Sequence, residues 1–249
     1  MAHDEADSRF AAYADALRRE VCRSCLDGRG DGSCGLTSRA CPLDAQLPGG
    51  GWPRAALTEL LTRQRDIGEL RLLLPALARL SKDDKWVVLV APPHRPFAPG
   101  FESLGVNLAR LVVVETRSNG ESLWAAERCL RSGSCAAVLA WPDCGPQTPL
   151  RRLQLAAEEG KSLGVVFGST RRAADPSPAP LRIQLTASRG GLELQILKRR
   201  GGGWAPPLSL DVECPASSAC PELDPKTARA PRVFSAHPLR YRRVSHGFA

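Results

Sequence analysis

The sequence predicts an α/β protein: a mostly parallel sheet flanked by helices, with an antiparallel C-terminal hairpin and flexible extensions at both ends. Three observations predict the sheet. Strand-length apolar runs alternate with helical stretches between Leu57 and Phe167. Several of these runs, such as Trp86–Ala91, are continuously apolar, as strands covered on both faces require. Two later runs, Leu181–Ala187 and Leu192–Lys198, alternate instead and are separated by the turn sequence Ser188–Gly191, the pattern of a hairpin.

The elements follow in order. "LPGGGWP" (Leu47–Pro53) is a turn cluster and marks the start of the main domain, residues 47–203. Leu57–Leu61 reads as the first strand. Glu69–Leu80 reads as a helix, because Leu70, Leu73, Leu74, Leu77 and Leu80 share one face, and Pro75 is expected to bend or break it. Trp86–Ala91, Leu111–Glu115, Ala136–Trp141 and Leu163–Phe167 read as further strands; Glu121–Arg131 and Leu150–Lys161 read as helices between them. Ahead of the core, residues 1–46 hold a short helical stretch, Ala11–Glu20, and a Cys- and Gly-rich segment. From Ala205 the chain turns Pro-, Ser- and Ala-rich, so residues 204–249 are expected to be a basic tail with little regular structure.

At 249 residues the chain is long enough for one sizeable core with extensions. A net charge of +8 fits a negatively charged partner, either nucleic acid or an acidic protein face. The first ten residues lack the basic and apolar regions of a signal peptide, and no apolar run approaches the length that spans a bilayer. A cytoplasmic protein is expected, with its nine cysteines as thiols or ligands.

The stretch "TRQRDIGEL" between the first strand and the first helix has the outline of a phosphate-cradling loop. Its chemistry is wrong for one. Such a loop needs a lysine after its last glycine to neutralise phosphate charge, then a hydroxyl to hold Mg²⁺. Here Gly68 is followed by Glu69 and Leu70, and Thr62 stands where a first glycine belongs.

From Leu47 to about Arg200 the chain resembles the RecA-like recombinase core and, more closely, the ImuA family of translesion-synthesis accessory proteins, often grouped with the SulA-like cell-division inhibitors. The residues carrying this are "LPGGGWPRAALTELL", "GELRLLLPALARL", "WVVLVAPPHRPFAPGFESLGVNLARLVVV", "ESLWAAERCLRSGSCAAVLAW", "LRRLQLAAEEG" and "LELQILKRRGG". Set against a working RecA core, the loop carries Glu69-Leu70 for Lys-Thr, Pro93 replaces the catalytic glutamate, and Trp141 replaces the metal-supporting Asp, with Asp143 two residues on and Ser169 near the γ-phosphate sensor. Loss of all three groups implies no catalysis. The resemblance implies a non-catalytic accessory of SOS-induced mutagenic DNA synthesis, associated with the nucleoid after damage. Its partners would be an ImuB-type Y-family-like protein, an error-prone replicative-type polymerase and RecA. The alternative is a SulA-like division inhibitor induced by DNA damage.

Cys22, Cys25, Cys34 and Cys41 make a candidate zinc set of four thiolates, although the second pair lacks the tight CxxC spacing; the alternative is ordinary thiols. No other cofactor is expected. Cys129, Cys135 and Cys144 read as small core residues. Candidate contacts to single-stranded DNA or a protein partner are Arg151, Arg152, Arg171, Arg172, Lys198, Arg199 and Arg200, with Arg240, Tyr241, Arg242 and Arg243 in the tail; the competing reading is solvated cations on loops.

Overall fold

The computed structural model describes residues 43, 46–47, 50–64, 67–143, 147–188, 191–211 and 232–235. Nine strands form one sheet in the order β8-β7-β6-β1-β5-β4-β2-β3-β9. They are β1 (Ala56–Thr62), β2 (Trp86–Val90), β3 (Leu111–Glu115), β4 (Cys135–Ala140), β5 (Leu163–Ser169), β6 (Leu181–Ser188), β7 (Gly191–Lys198), β8 (Leu208–Asp211) and β9 (Arg232–Ser235). From β6 to β9 in that order every pairing is parallel. The β6–β7 hairpin and the β7–β8 pair are antiparallel. The mostly parallel α/β sheet with an antiparallel hairpin is therefore present.

Helices cover both faces. On one face lie α1 (Leu74–Leu80) and α2 (Ala98–Ser103), which bury Leu74, Leu77, Ala98 and Phe101 against Leu60, Leu89 and Leu139. On the other lie α3 (Asn119–Arg131) and α4 (Gln147–Gly160), which bury Ala126, Leu130, Leu153 and Ala157 against Leu57, Val88 and Val166. Each fully buried leucine contributes about 1.5–3 kcal/mol relative to exposure. All seven residues of β1 are buried, which fits its place between β5 and β6.

Proline 75 acts more sharply than a bend. A 3₁₀ turn runs over Glu69–Leu72, Leu73 interrupts it, and Pro75 sits in the first turn of α1, where a missing N–H costs nothing. One predicted helix is thus two short pieces. The start of α3 is capped: the Ser118 side chain accepts from the Glu121 N–H at 3.2 Å, and the Glu121 carboxylate accepts from the Arg117 N–H at 2.8 Å. Ser118→Ala is expected to cost about 1 kcal/mol, readable as a lower denaturation midpoint at unchanged slope.

The expectation of little regular structure after Ala205 is corrected at two places. Leu208–Asp211 pairs with β7, and Arg232–Ser235 pairs with β3 at the opposite edge. Both gain their strand state from an available edge rather than from local propensity. The stretch Ala11–Glu20 lies outside the described residues. Among the described residues no helix is long and apolar enough to cross a membrane.

Candidate functional site: the C-terminal strand ends and a buried ion cluster

Register brings the predicted nucleotide-loop residues to one end of the sheet. Thr62 and Ser169 are partners at the ends of β1 and β5, and Trp141 follows the last residue of β4, its N–H donating to the Val90 carbonyl of β2 at 3.3 Å. Pro93 lies just past β2.

Each position has a local occupation. Gly68 is left-handed at φ 92°, which permits the turn into the following 3₁₀ segment. Glu69 is buried, and its carboxylate folds back to accept the Ile67 N–H at 3.0 Å. A loop N–H of the kind that would meet a phosphate is thereby taken by an internal anion. Leu70 packs against the core on the α1 face. Ser169 caps the next turn, its hydroxyl accepting from the Arg171 N–H at 3.3 Å. Asp143 is exposed, and its backbone is clamped by Asn119, which donates to its carbonyl at 2.7 Å and accepts from its N–H at 2.8 Å.

Beneath these ends Trp141 stacks on Phe167, with ring centroids 4.4 Å apart and planes 5° from parallel. Both rings are buried in the core on the α1 face, the side to which the loop after β1 leads. Phe167 pairs with Leu60, two residues before the strand's end. Ile67 and Leu70, at the end of the loop, pack against the same core cluster.

On the opposite face of β1 sits a charge cluster that the sequence reading missed. Glu59, 1% exposed, lies beside Arg182 of β6, with Oε2 and Nε 2.7 Å apart. That approach lacks hydrogen-bond direction, so charge rather than a directed bond joins the two. The Arg182 guanidinium also donates to the carbonyls of Arg172, Ala173 and Asp175 at 2.7, 3.2 and 2.8 Å. Arg172 turns inward, 4.0 Å from Glu59 and 3.5 Å from Asp175. A single opposite charge inside each of "ALTELLT" and "LRIQLTAS" was the available signal.

The predicted surface cations divide accordingly. Arg172 is not a surface contact, being paired beneath its own loop, whereas Arg171 is exposed. Arg151 is exposed on α4, and Arg152 pairs with Glu127 of α3 at 2.5 Å. Lys198 donates to the Ser177 carbonyl at 2.7 Å. Arg199 donates to the carbonyls of Gln46 at 2.7 Å and Gly202 at 3.2 Å, while Arg200 is exposed. Arg240, Tyr241, Arg242 and Arg243, and likewise Cys22, Cys25, Cys34, Cys41 and Cys144, lie outside the described residues.

Cys135 is buried and Cys129 half-buried, both as free thiols. The hydrogen bond from Cys129 holds the Cys135 thiol down at about 7, with Ser132 and Lys85 adding to it against the opposing effect of burial; the same bond, with burial, pushes Cys129 up.

Comparison with known proteins agrees with this layout. Residues 56–164, β1 to the start of β5, match the family model "Cell division inhibitor SulA". The chain is 34% identical to the cell division inhibitor SulA of Edwardsiella piscicida over 101 residues, covering 39% of this chain and 59% of that one. It therefore spans about three fifths of that relative. It is 32% identical to Protein ImuA of Caulobacter vibrioides over 191 residues, covering 65% and 78%. It is also 30% identical to Protein RecA of Chlorobium chlorochromatii over 131 residues, covering 50% and 36%. Fold and strand-end chemistry thus define an α/β-sheet protein with a SulA-like domain. The chain belongs to the SulA/ImuA-related family.

Proposed function

We propose that this chain is a non-catalytic binding protein of the bacterial DNA-damage response, working through contact surfaces on a RecA-like core whose nucleotide loop is retired. The observation that carries this is the Glu69 carboxylate seated on the Ile67 N–H at 3.0 Å. A carboxylate fixed in the loop repels triphosphate. Titration with ATP and Mg²⁺ to millimolar concentration is expected to give no saturable binding; saturable binding would overturn this reading.

Two biological roles fit. The SulA family match over residues 56–164 favours the first, inhibition of cell division after DNA damage. Its test is overexpression in undamaged cells, with filamentous cells and intact DNA as the expected outcome. A different observation favours the second: similarity to ImuA extends over 65% of the chain, well beyond the SulA match. That role is an accessory in translesion synthesis at the nucleoid, bound to an ImuB-type Y-family-like protein, an error-prone polymerase and RecA. Capture of these partners from damaged cells, with normal cell length on overexpression, would select it over the first.

A further inference from the structure

The opposite edge of the sheet, where the parallel strands begin, carries chemistry that neither role uses. β7 ends there and runs into the loop Arg200-Gly201-Gly202-Gly203-Trp204. Trp204 is 81% exposed, the most exposed of the large hydrophobic side chains among the described residues. The loop that carries it is fixed on both sides. Arg199 ties it to the Gln46 and Gly202 carbonyls, the three glycines take left-handed φ of 91°, 67° and 88°, and Ala205 is buried immediately after. An indole held out in water by an anchored loop gains nothing from folding.

Exposed cations surround it by topology. Lys198 and Arg200 flank the end of β7, Arg54 precedes β1, and Lys161 precedes β5. Those strands lie in the order β7-β6-β1-β5, so the cations span three strand spacings, about 14 Å. Trp52, half-buried on the core, adds a second indole just before β1. Acids beside these cations among the described residues are engaged, Glu159 with Arg131, Asp175 with Arg172 and Glu158 with Gln154, while the exposed Asp83 and Asp84 stand before β2, two strands beyond β5, with Asp84 paired to Arg110.

We infer that this edge binds single-stranded nucleic acid, with Trp204 stacking on a base while Arg54, Lys161, Lys198 and Arg200 meet successive phosphates. An exposed flat ring beside a row of cations suits a strand whose bases are free to stack, and the span matches a short site of a few nucleotides. A folded acidic protein would answer the charge and could seat the indole in a pocket, but cations repeating at strand spacing beside a flat ring match the phosphate-and-base repeat of a single strand. The inference holds for either biological role, and its failure leaves both standing.

The test is titration of the full chain with oligo-dT, followed by tryptophan fluorescence and by anisotropy of labelled oligonucleotide at several salt concentrations. Binding should quench fluorescence, and Trp204→Ala should weaken it by about 5- to 150-fold. Arg54→Ala with Arg200→Ala should lower the salt slope by about 1.4. All three side chains are exposed, so circular dichroism should be unchanged. Trp124→Ala, which removes the 51%-exposed indole that Arg128 covers on α3, should leave affinity unaltered. The inference fails if oligo-dT does not bind at low salt, if Trp124→Ala matters and Trp204→Ala does not, or if polyglutamate competes equally and Trp204→Ala changes nothing.

Discussion

Gly160→Ala should lower stability by about 3 kcal/mol, the upper end of overpacking, seen as a fall in the urea midpoint with the slope kept. Gly160 is the last residue of α4, where that helix meets the end of α3. A Cβ there would stand 1.8 Å from the Leu130 carbonyl oxygen, 2.9 Å from its carbon and 3.2 Å from that of Arg131. All three are backbone atoms, so no rotamer change relieves the clash and the helices must part. Buried Ser162 holds this junction, its hydroxyl lying 3.2 Å from the Leu130 carbonyl and 2.7 Å from that of Cys135. Parting would also loosen the ion pairs joining α3 to α4, Arg131–Glu159 and Arg152–Glu127. Gly120→Ala is the control, because its nearest neighbour is the Ser118 hydroxyl at 3.9 Å. It should be neutral or slightly stabilising. Equal losses at both positions would show that close helix contact is not the cause.

Replacing Glu59 by Gln should cost about 3–5 kcal/mol, because it leaves the buried Arg182 charge without a counter-ion. Arg182→Met should cost a similar amount by stranding Glu59 and freeing the carbonyls of Arg172, Ala173 and Asp175. Glu59→Leu with Arg182→Leu removes both charges together. It should cost less than the sum of the corresponding single changes, with a coupling of about 1–3 kcal/mol in the double-mutant cycle. Strict additivity would mean that the 2.7 Å approach contributes nothing. The 170–180 connection rests on these groups, so limited proteolysis of the single variants should cut there first.

Much of the sheet was legible because burial writes itself into composition. Leu111–Glu115 needed nothing but its own apolar run, and the β6–β7 hairpin announced itself by alternation and a glycine turn. β8 and β9 were not legible. "LSLD" and "RVFS" are short and sit in polar surroundings, and their extended state comes from partners far away in the chain. Helix α2 was hidden by Pro99 and Gly100, and packing of Phe101 holds it instead. The site divides in the same way. Glu69 after Gly68 is adjacent in the sequence, and its contact to the Ile67 N–H is local. Glu59 and Arg182 stand 123 positions apart, and only the β1–β6 register brings them together.

The two outermost strands have a consequence for how the chain can be shortened. β8 covers β7 and β9 covers β3, and each is four residues long. A chain ended at Gly203 would present "LVVVE" and "GLELQILK" as bare edges with open backbone donors and acceptors. Such rims recruit further copies edge to edge, so that shortened form is expected to precipitate where the whole chain stays dispersed. The C-terminal stretch thus serves as a guard against self-templated growth of the sheet.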